Sequence, residues 1–145
     1  MLKEEQNKVV ELYISTNTNK KRSKNNEIQL DENGVLKDRF YAKNSNRLIL
    51  VTTLGAYALA KENNIKIFHG DLGENILIDA DISHLRAGDT LKIGEVLLEV
   101  TQNCTLCNGL SVLNPKLPKI LKDDRGIFVK TVTNGTIKIG DRVII

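Results

Sequence analysis

Residues 88–101 form two runs in which apolar and polar residues largely alternate, broken once at Gly94-Glu95. A period of two sends successive side chains to opposite faces, so this stretch predicts two half-buried strands joined by a tight turn. Similar patterning recurs along the chain. Residues 9–15 and 47–53 are short apolar runs rich in β-formers. Residues 27–30 alternate into Asp31-Glu32-Asn33-Gly34, a turn signal because Asn and Gly tolerate positive φ, and residues 75–79 predict a further strand. Near the C-terminus, residues 127–132 and 136–139 flank Asn134-Gly135, which predicts another hairpin. The likeness of residues 91–95 to 137–141 reads as shared hairpin geometry rather than a functional repeat.

Helical spacing is confined to short pieces. Residues 54–63 place Leu54, Tyr57, Ala58 and Lys61 on one face and end at Asn63-Asn64, and residues 117–122 predict a helical turn. Aromatic residues make up only 4% and tryptophan is absent, so Val, Ile and Leu must build the core. The expectation is one domain over residues 1–145, mainly β and barrel-like or a sandwich, with one or two short helices.

No apolar run approaches the roughly 20 residues of a membrane-spanning helix. The first residues are acidic where a secretory leader is basic and then apolar, so the expected location is cytoplasmic. The net charge is +3, and its excess lies in residues 1–50, largely in Lys20, Lys21, Arg22 and Lys24. That cluster reads as a polar loop suited to a local anion. It lacks the broad basic stripe of a nucleic-acid protein, and no such partner is expected.

Several groups carry candidate chemistry. Cys104-Thr-Leu-Cys107 follows a predicted strand directly, and a thiolate there needs nearby cations or N–H groups to lower its pKa. The pair also fits an exchanging redox couple or two small apolar core residues. A structural zinc needs four ligands, and the other soft candidates are His69 and His84. Asp38-Arg39 reads as a ligand-facing pair or a solvated one. In His69-Gly-Asp-Leu-Gly-Glu74-Asn75, two glycines permit close backbone approach, and Glu74 and Asn75 offer an acceptor beside an amide. The alternative there is a tight turn with Asn75 capping the next strand.

Five blocks in order resemble the MOSC domain, named for the C-terminal domain of molybdenum cofactor sulfurases. They are Gly34-Val-Leu-Lys-Asp38-Arg39 with Arg47 opening a strand; Gly70-Asp-Leu-Gly-Glu74-Asn75-Ile; Leu85-x-x-Gly-Asp-x-Leu-x-Ile-Gly-Glu-Val-Leu-Leu-Glu-Val-Thr-Gln102 with Cys107; Arg125-Gly-Ile-Phe-Val-Lys; and Gly135-Thr-Ile-Lys-Ile-Gly-Asp141. The match covers about residues 7–145. The resemblance implies a MOSC or pyruvate-kinase-β-barrel-like fold that binds a molybdopterin-type molybdenum cofactor or handles its sulfur. It implies that Cys107 is a sulfur carrier or a thiol touching molybdenum; Cys104, beside it in this chain, reads as a resolving partner. It also implies that Asp38, Arg47, Glu74 and Asn75 line the cleft, and that Lys20, Lys21 and Arg22 meet the cofactor's phosphate. Partners would be a molybdoenzyme acceptor or a cofactor-biosynthesis protein, with a cysteine desulfurase supplying sulfur, because this chain shows no pyridoxal-phosphate site. The alternatives are a non-catalytic carrier of the cofactor and a molybdenum-dependent reductase. The chain departs from the family pattern at Lys37, where the family usually has Gly, and at Phe40, where it often has His. A cation shortly before the cysteine is missing as well.

Overall fold

The computed structural model describes residues 7–16, 22–103, 113–122 and 124–145. Among these residues, eleven strands fall into two sheets. They are β1 (Lys8–Ser15), β2 (Arg22–Asn25), β3 (Glu27–Asp31), β4 (Gly34–Val35), β5 (Ile49–Thr53), β6 (Ile76–Asp79), β7 (Thr90–Ile93), β8 (Val96–Asn103), β9 (Ile127–Thr131), β10 (Gly135–Lys138) and β11 (Val143–Ile144). The larger sheet has the order β11-β7-β8-β9-β5-β6-β1-β2, and the smaller is β10-β3-β4. One edge of β1 is divided between two neighbours. Its second half pairs with β2, while its first half meets the end of the sheet through the Lys8–Arg142 bridge and the Val9 N–H to Asp141 bond of 2.9 Å. That contact closes the larger sheet on itself, the mainly β, barrel-like fold expected.

The alternation along the strands decides what lies inside. Ile49, Val51, Ile76, Ile78, Leu91, Ile93, Val96, Leu98, Val100, Ile127 and Val129 pack together, and Ile28, Leu30 and Ile137 of the small sheet join the same cluster. The opposite faces of β5, β6 and β9 point outward, and there Leu50, Leu77 and Phe128 need other cover. Helix α1 (Leu54–Glu62) supplies part of it. It links the parallel strands β5 and β6 and packs with α2 (Leu117–Ile120) over Leu77. Thr53 caps α1 by accepting from the Ala56 N–H at 3.3 Å. Asn64, at φ +59, ends it, with Asn64 N–H bonded to Lys61 O and Ile65 N–H to Ala60 O, the 6→1 and 5→2 pattern of a Schellman motif. Among the described residues no helix is long and apolar enough to cross a membrane.

Four local expectations are corrected. Asn134-Gly135 does not close a hairpin: β9 pairs with β5 and β8, whereas β10 pairs with β3. A Cβ on Gly135 would meet Glu95 Oε2 at 2.8 Å and Val96 Cγ2 at 2.9 Å, so this glycine serves a close crossing between the two sheets. The turn after Lys138 likewise passes from β10 in one sheet to β11 in the other, so it shares a tight turn with Gly94 but not a hairpin. The basic cluster is only partly loop, since Arg22 and Lys24 lie on β2, held by the register Ser15↔Arg22 and Tyr13↔Lys24. The buried face of α1 is Ala56, Tyr57 and Ala60, because Leu77 and Leu72 lie under that side.

Candidate functional site

On the outer face of β5 and β9, beyond the reach of α1, Leu50 and Phe128 pack together and form the apolar floor of the candidate site. Three segments wall it: β2 with Arg22, the loop from Leu36 to Arg47, and the loop that enters β6 at Glu74-Asn75.

Asn75 ties these walls together. Its Oδ1 accepts from the Leu50 N–H at 3.1 Å, and its Nδ2 donates to Tyr13 O at 3.3 Å and to Asp38 Oδ1 at 3.1 Å. Asp38 is 5% exposed, so the solvated reading of Asp38-Arg39 is corrected for the carboxylate. Its Oδ1 also accepts from Ser15 N–H at 2.9 Å and its Oδ2 from Phe40 N–H at 3.2 Å. The polar atoms of both side chains therefore face protein partners. They are the frame that fixes the loop and β1 against β5.

That frame explains one departure from the family pattern. Lys37, immediately before Asp38, has φ +75, the left-handed region in which glycine is unstrained. The turn is retained with lysine, at a conformational cost.

Glu74 is fully buried and turns the other way. Its Oε2 accepts from Thr52 Oγ1 at 2.7 Å and from the Tyr57 hydroxyl at 2.5 Å, while Oε1 has no hydrogen-bond partner. Tyr57 in turn accepts from the N–H groups of Gly70 and Leu72 at 3.1 and 3.4 Å. Burial, and then the neighbouring Glu74 charge, push the Tyr57 phenol well above its ordinary pKa.

The cations are the groups left open. Arg22 reaches Glu74 O at 3.3 Å, and burial holds its guanidinium below the usual arginine range, against the pull of Asp38 and Glu74 and with repulsion from Arg39. Arg39 lies over the Phe40 ring at 4.6 Å, and its buried Nε is unpartnered. Arg47, exposed, stacks over Phe128 at 4.9 Å. Arg125 is buried and donates one bond, from Nη2 to Leu72 O at 2.8 Å, leaving Nε and Nη1 unpartnered. The ion pairs among the described residues are Lys24–Glu11, His69–Glu11 and Lys130–Glu99, so none of these four arginines has a carboxylate partner.

The predicted site residues therefore divide. Asp38, Asn75 and Arg22 converge, and Arg47 joins them through Phe128 and Leu50, whereas Glu74 points into the interior toward Thr52 and Tyr57. Cys104, Cys107, Lys20 and Lys21 lie outside the described residues, but β8 ends at Asn103, the residue before Cys104. Asn103 pairs with Ile127, the chain neighbour of Phe128 on the apolar floor. His69 bonds Glu11 at 2.9 Å, and among the described residues no group of three or more His, Cys, Asp or Glu is arranged to hold a metal ion. Sequence reasoning gave no site role to Arg125, an isolated arginine whose one signal was its place in the Arg125-Gly-Ile-Phe block, nor to Tyr57 and Thr52.

The solved structure of the YuaD protein from Bacillus subtilis is similar to this chain, with a TM-score of 0.83 at 16% identity over 94% of this chain and 93% of that one. YiiM from Escherichia coli superposes with a TM-score of 0.70 at 16% identity, covering 94% of this chain and 68% of that one. YiiM from Geobacillus stearothermophilus gives 0.68 at 15% identity over 95% and 72%. These likenesses concern the fold. No curated protein is significantly similar in sequence. The family described as the MOSC domain, generally linked to molybdenum-cofactor binding, matches residues 38–144, a span that holds the Asp38–Asn75 frame, Arg47 and Arg125. The chain belongs to the MOSC domain family.

Proposed function

We propose that this protein binds a molybdopterin-type cofactor in the arginine-walled cleft and carries sulfur on Cys107. The observation that supports it most is the set of guanidinium groups with no carboxylate partner around the Leu50–Phe128 floor. Buried donors without acceptors cost about 1–3 kcal/mol each, and a bound anion removes that cost. The donor set fits a ligand with a phosphate and a flat ring system: arginines for the charge, and an apolar floor with Arg47 stacked beside it. Bound there, the cofactor supplies a metal centre and an acceptor for sulfur.

Arg22, Arg39, Arg47, Lys20 and Lys21 bind and orient the anionic ligand. Asp38 and Asn75 position the wall that carries Arg39 and the β5 backbone, and Glu74 holds the loop through Tyr57. The Cys107 thiolate attacks the outer sulfur of a persulfide on a cysteine desulfurase, the donor's S–S bond breaks, and the donor thiolate leaves. Cys107 then holds a persulfide. Attack by the Cys104 thiolate on its inner sulfur forms the Cys104–Cys107 disulfide and expels hydrosulfide toward a molybdoenzyme acceptor or a cofactor-biosynthesis protein. A cellular dithiol restores both thiols.

The test is incubation with a cysteine desulfurase and cysteine, read by intact and peptide mass spectrometry. One sulfur atom is expected on Cys107, absent in Cys107→Ser. No added sulfur together with no cofactor binding overturns the proposal. The stacked and partly exposed Phe40, where relatives often have a histidine, favours a second reading. In it the protein carries the cofactor without sulfur chemistry, and Cys107→Ser leaves cofactor binding intact while nothing is transferred.

A further inference from the structure

Beside the face of α1 buried on Leu72 and Leu77 runs a second one. Leu54, Tyr57, Ala58 and Lys61, at helical spacing, line an open groove of about 680 Å³ together with Ile65 and Ile67 of the segment that follows. Ala58 is small and exposed, which leaves that space unfilled. The rim is basic. Lys61 stands in the last turn of α1, Lys66 and His69 join it from the following segment, and none of the described residues lining the groove is acidic. The carboxylates that touch this rim are already engaged. Glu11 holds Lys24, Tyr13 and His69, and Asp71 Oδ2 accepts from the Phe68 N–H at 2.7 Å. Among the described residues Lys61 and Lys66 have no ion-pair partner. Beside them Phe68 is 64% exposed, more than any other large apolar side chain among the described residues, with Lys66 Nζ 5.4 Å from its ring centre.

We infer that this groove docks a segment of a partner protein whose large apolar side chains are flanked by Asp or Glu. Charge and shape argue for it together. Apolar side chains of the segment fill the space between Ala58, Ile65 and Ile67, and its carboxylates meet Lys61 and Lys66. From Leu54 to Lys61 the groove follows about two turns of helix, roughly 10 Å, which suits several consecutive residues. Phe68 extends the apolar contact beyond the groove, where a small ligand seated inside would leave it exposed. The occupant also rests on Tyr57, whose ring meets that of His69 at 4.9 Å and whose hydroxyl donates to Glu74 and accepts from Gly70 and Leu72. A docked segment therefore abuts the residue that holds the Gly70–Asn75 loop. The inference is independent of the proposed function.

The experiment titrates the full chain into a fluorescein-labelled short peptide in which Leu and Phe alternate with Glu and Asp, read by fluorescence anisotropy. Saturable binding is expected. It should weaken about ten-fold or more when Lys61→Glu and Lys66→Glu are combined, and several-fold in Phe68→Ser. It should be unchanged in Lys92→Glu, which reverses an exposed charge on β7. All four positions are exposed, so these variants keep the fold. A peptide with Lys in place of Glu and Asp should not bind. Absence of saturable binding, or binding that the double charge reversal leaves unchanged, overturns the inference. A peptide with Ser in place of Leu and Phe that binds as tightly would reduce the attraction to charge alone and also overturn it. Loss of binding in Arg22→Gln would place the peptide in the arginine cleft, with the same consequence. Phenylpropionate binding as tightly as the peptide, and displacing it, would assign the groove to a small carboxylate instead.

Discussion

The parallel strands β5 and β6 carry opposite charges at their two ends, and the two ends treat charge differently. At the N-terminal ends, Leu50 and Asn75 face Arg22, Arg39 and Arg125, whose N–H groups are largely without acceptors. At the C-terminal ends, Glu62, Asp79, Asp81 and Asp124 border a cleft of about 500 Å³ beside the start of α1. Asp81 there accepts from Ser83 N–H at 2.9 Å and Ser83 Oγ at 2.7 Å, bonds that hold its carboxyl below the ordinary range. The α1 N-terminus is already capped by Thr53. At the acidic end Asp81 is held by its own turn, whereas the arginines keep open donors, so the proposed ligand binding falls at the arginine end.

The largest expected effect tests the scaffold. Gly126, on the acidic side, has φ +145, and a Cβ there would stand 2.3 Å from Val51 O. Gly126→Ala should lower unfolding free energy by about 3 kcal/mol or more, measured by urea denaturation, because backbone must move. Next, Asn75→Ala removes one side chain that joins β1, β5 and the Asp38 loop, and should cost about 3 kcal/mol and weaken anion binding as well. If it destabilises without touching binding, the frame is not what orients the arginines.

An alkaline titration sharpens the same end. Burial first, then Glu11 for Tyr13 and Glu74 for Tyr57, raise both phenols above their ordinary value of 10.0. The neutral phenol is therefore favoured by folding, a contribution fully present below pH 10 and lost as pH rises beyond it, because the unfolded chain ionises first. Phenolate absorbance from these two residues should appear only together with loss of the native circular dichroism signal. Lys37→Gly, which relieves a left-handed lysine, should raise stability by about 1 kcal/mol, seen as a higher denaturation midpoint. Last, Asp81→Asn should leave cofactor binding unchanged by calorimetry; a clear gain or loss would give the acidic end a role in ligand binding.

How far these ends could be read in advance follows from the range of the interactions. The hairpin of β7 and β8 was legible because alternation and its turn lie within one short segment, and β3, β5, α1 and β6 followed from local patterning in the same way. The partner of β10 was not: Asn134-Gly135 is a strong local signal, overridden by pairing with β3 about a hundred residues earlier and by the tight approach to Glu95. Arg22 was read as loop because its register with Ser15 is a property of the sheet. Asp38 and Asn75 were named together through ordered motifs, but their roles as frame, and the turn of Glu74 toward Tyr57, depend on packing that no spacing encodes. Arg125 was invisible for the same reason, since burial of a lone arginine is decided by what the fold lays over it.

The pairing of β3 with β10 sets the order in which this molecule can assemble. Gln29 faces Thr136, and Val9 meets Asp141, so the barrel closes only when the two ends of the sequence meet. Such long loops must be closed before their contacts stabilise anything, which places refolding in the slower, millisecond-to-second range of β-rich domains. On the ribosome, the first strands must wait unpaired on those outer edges until the last have emerged.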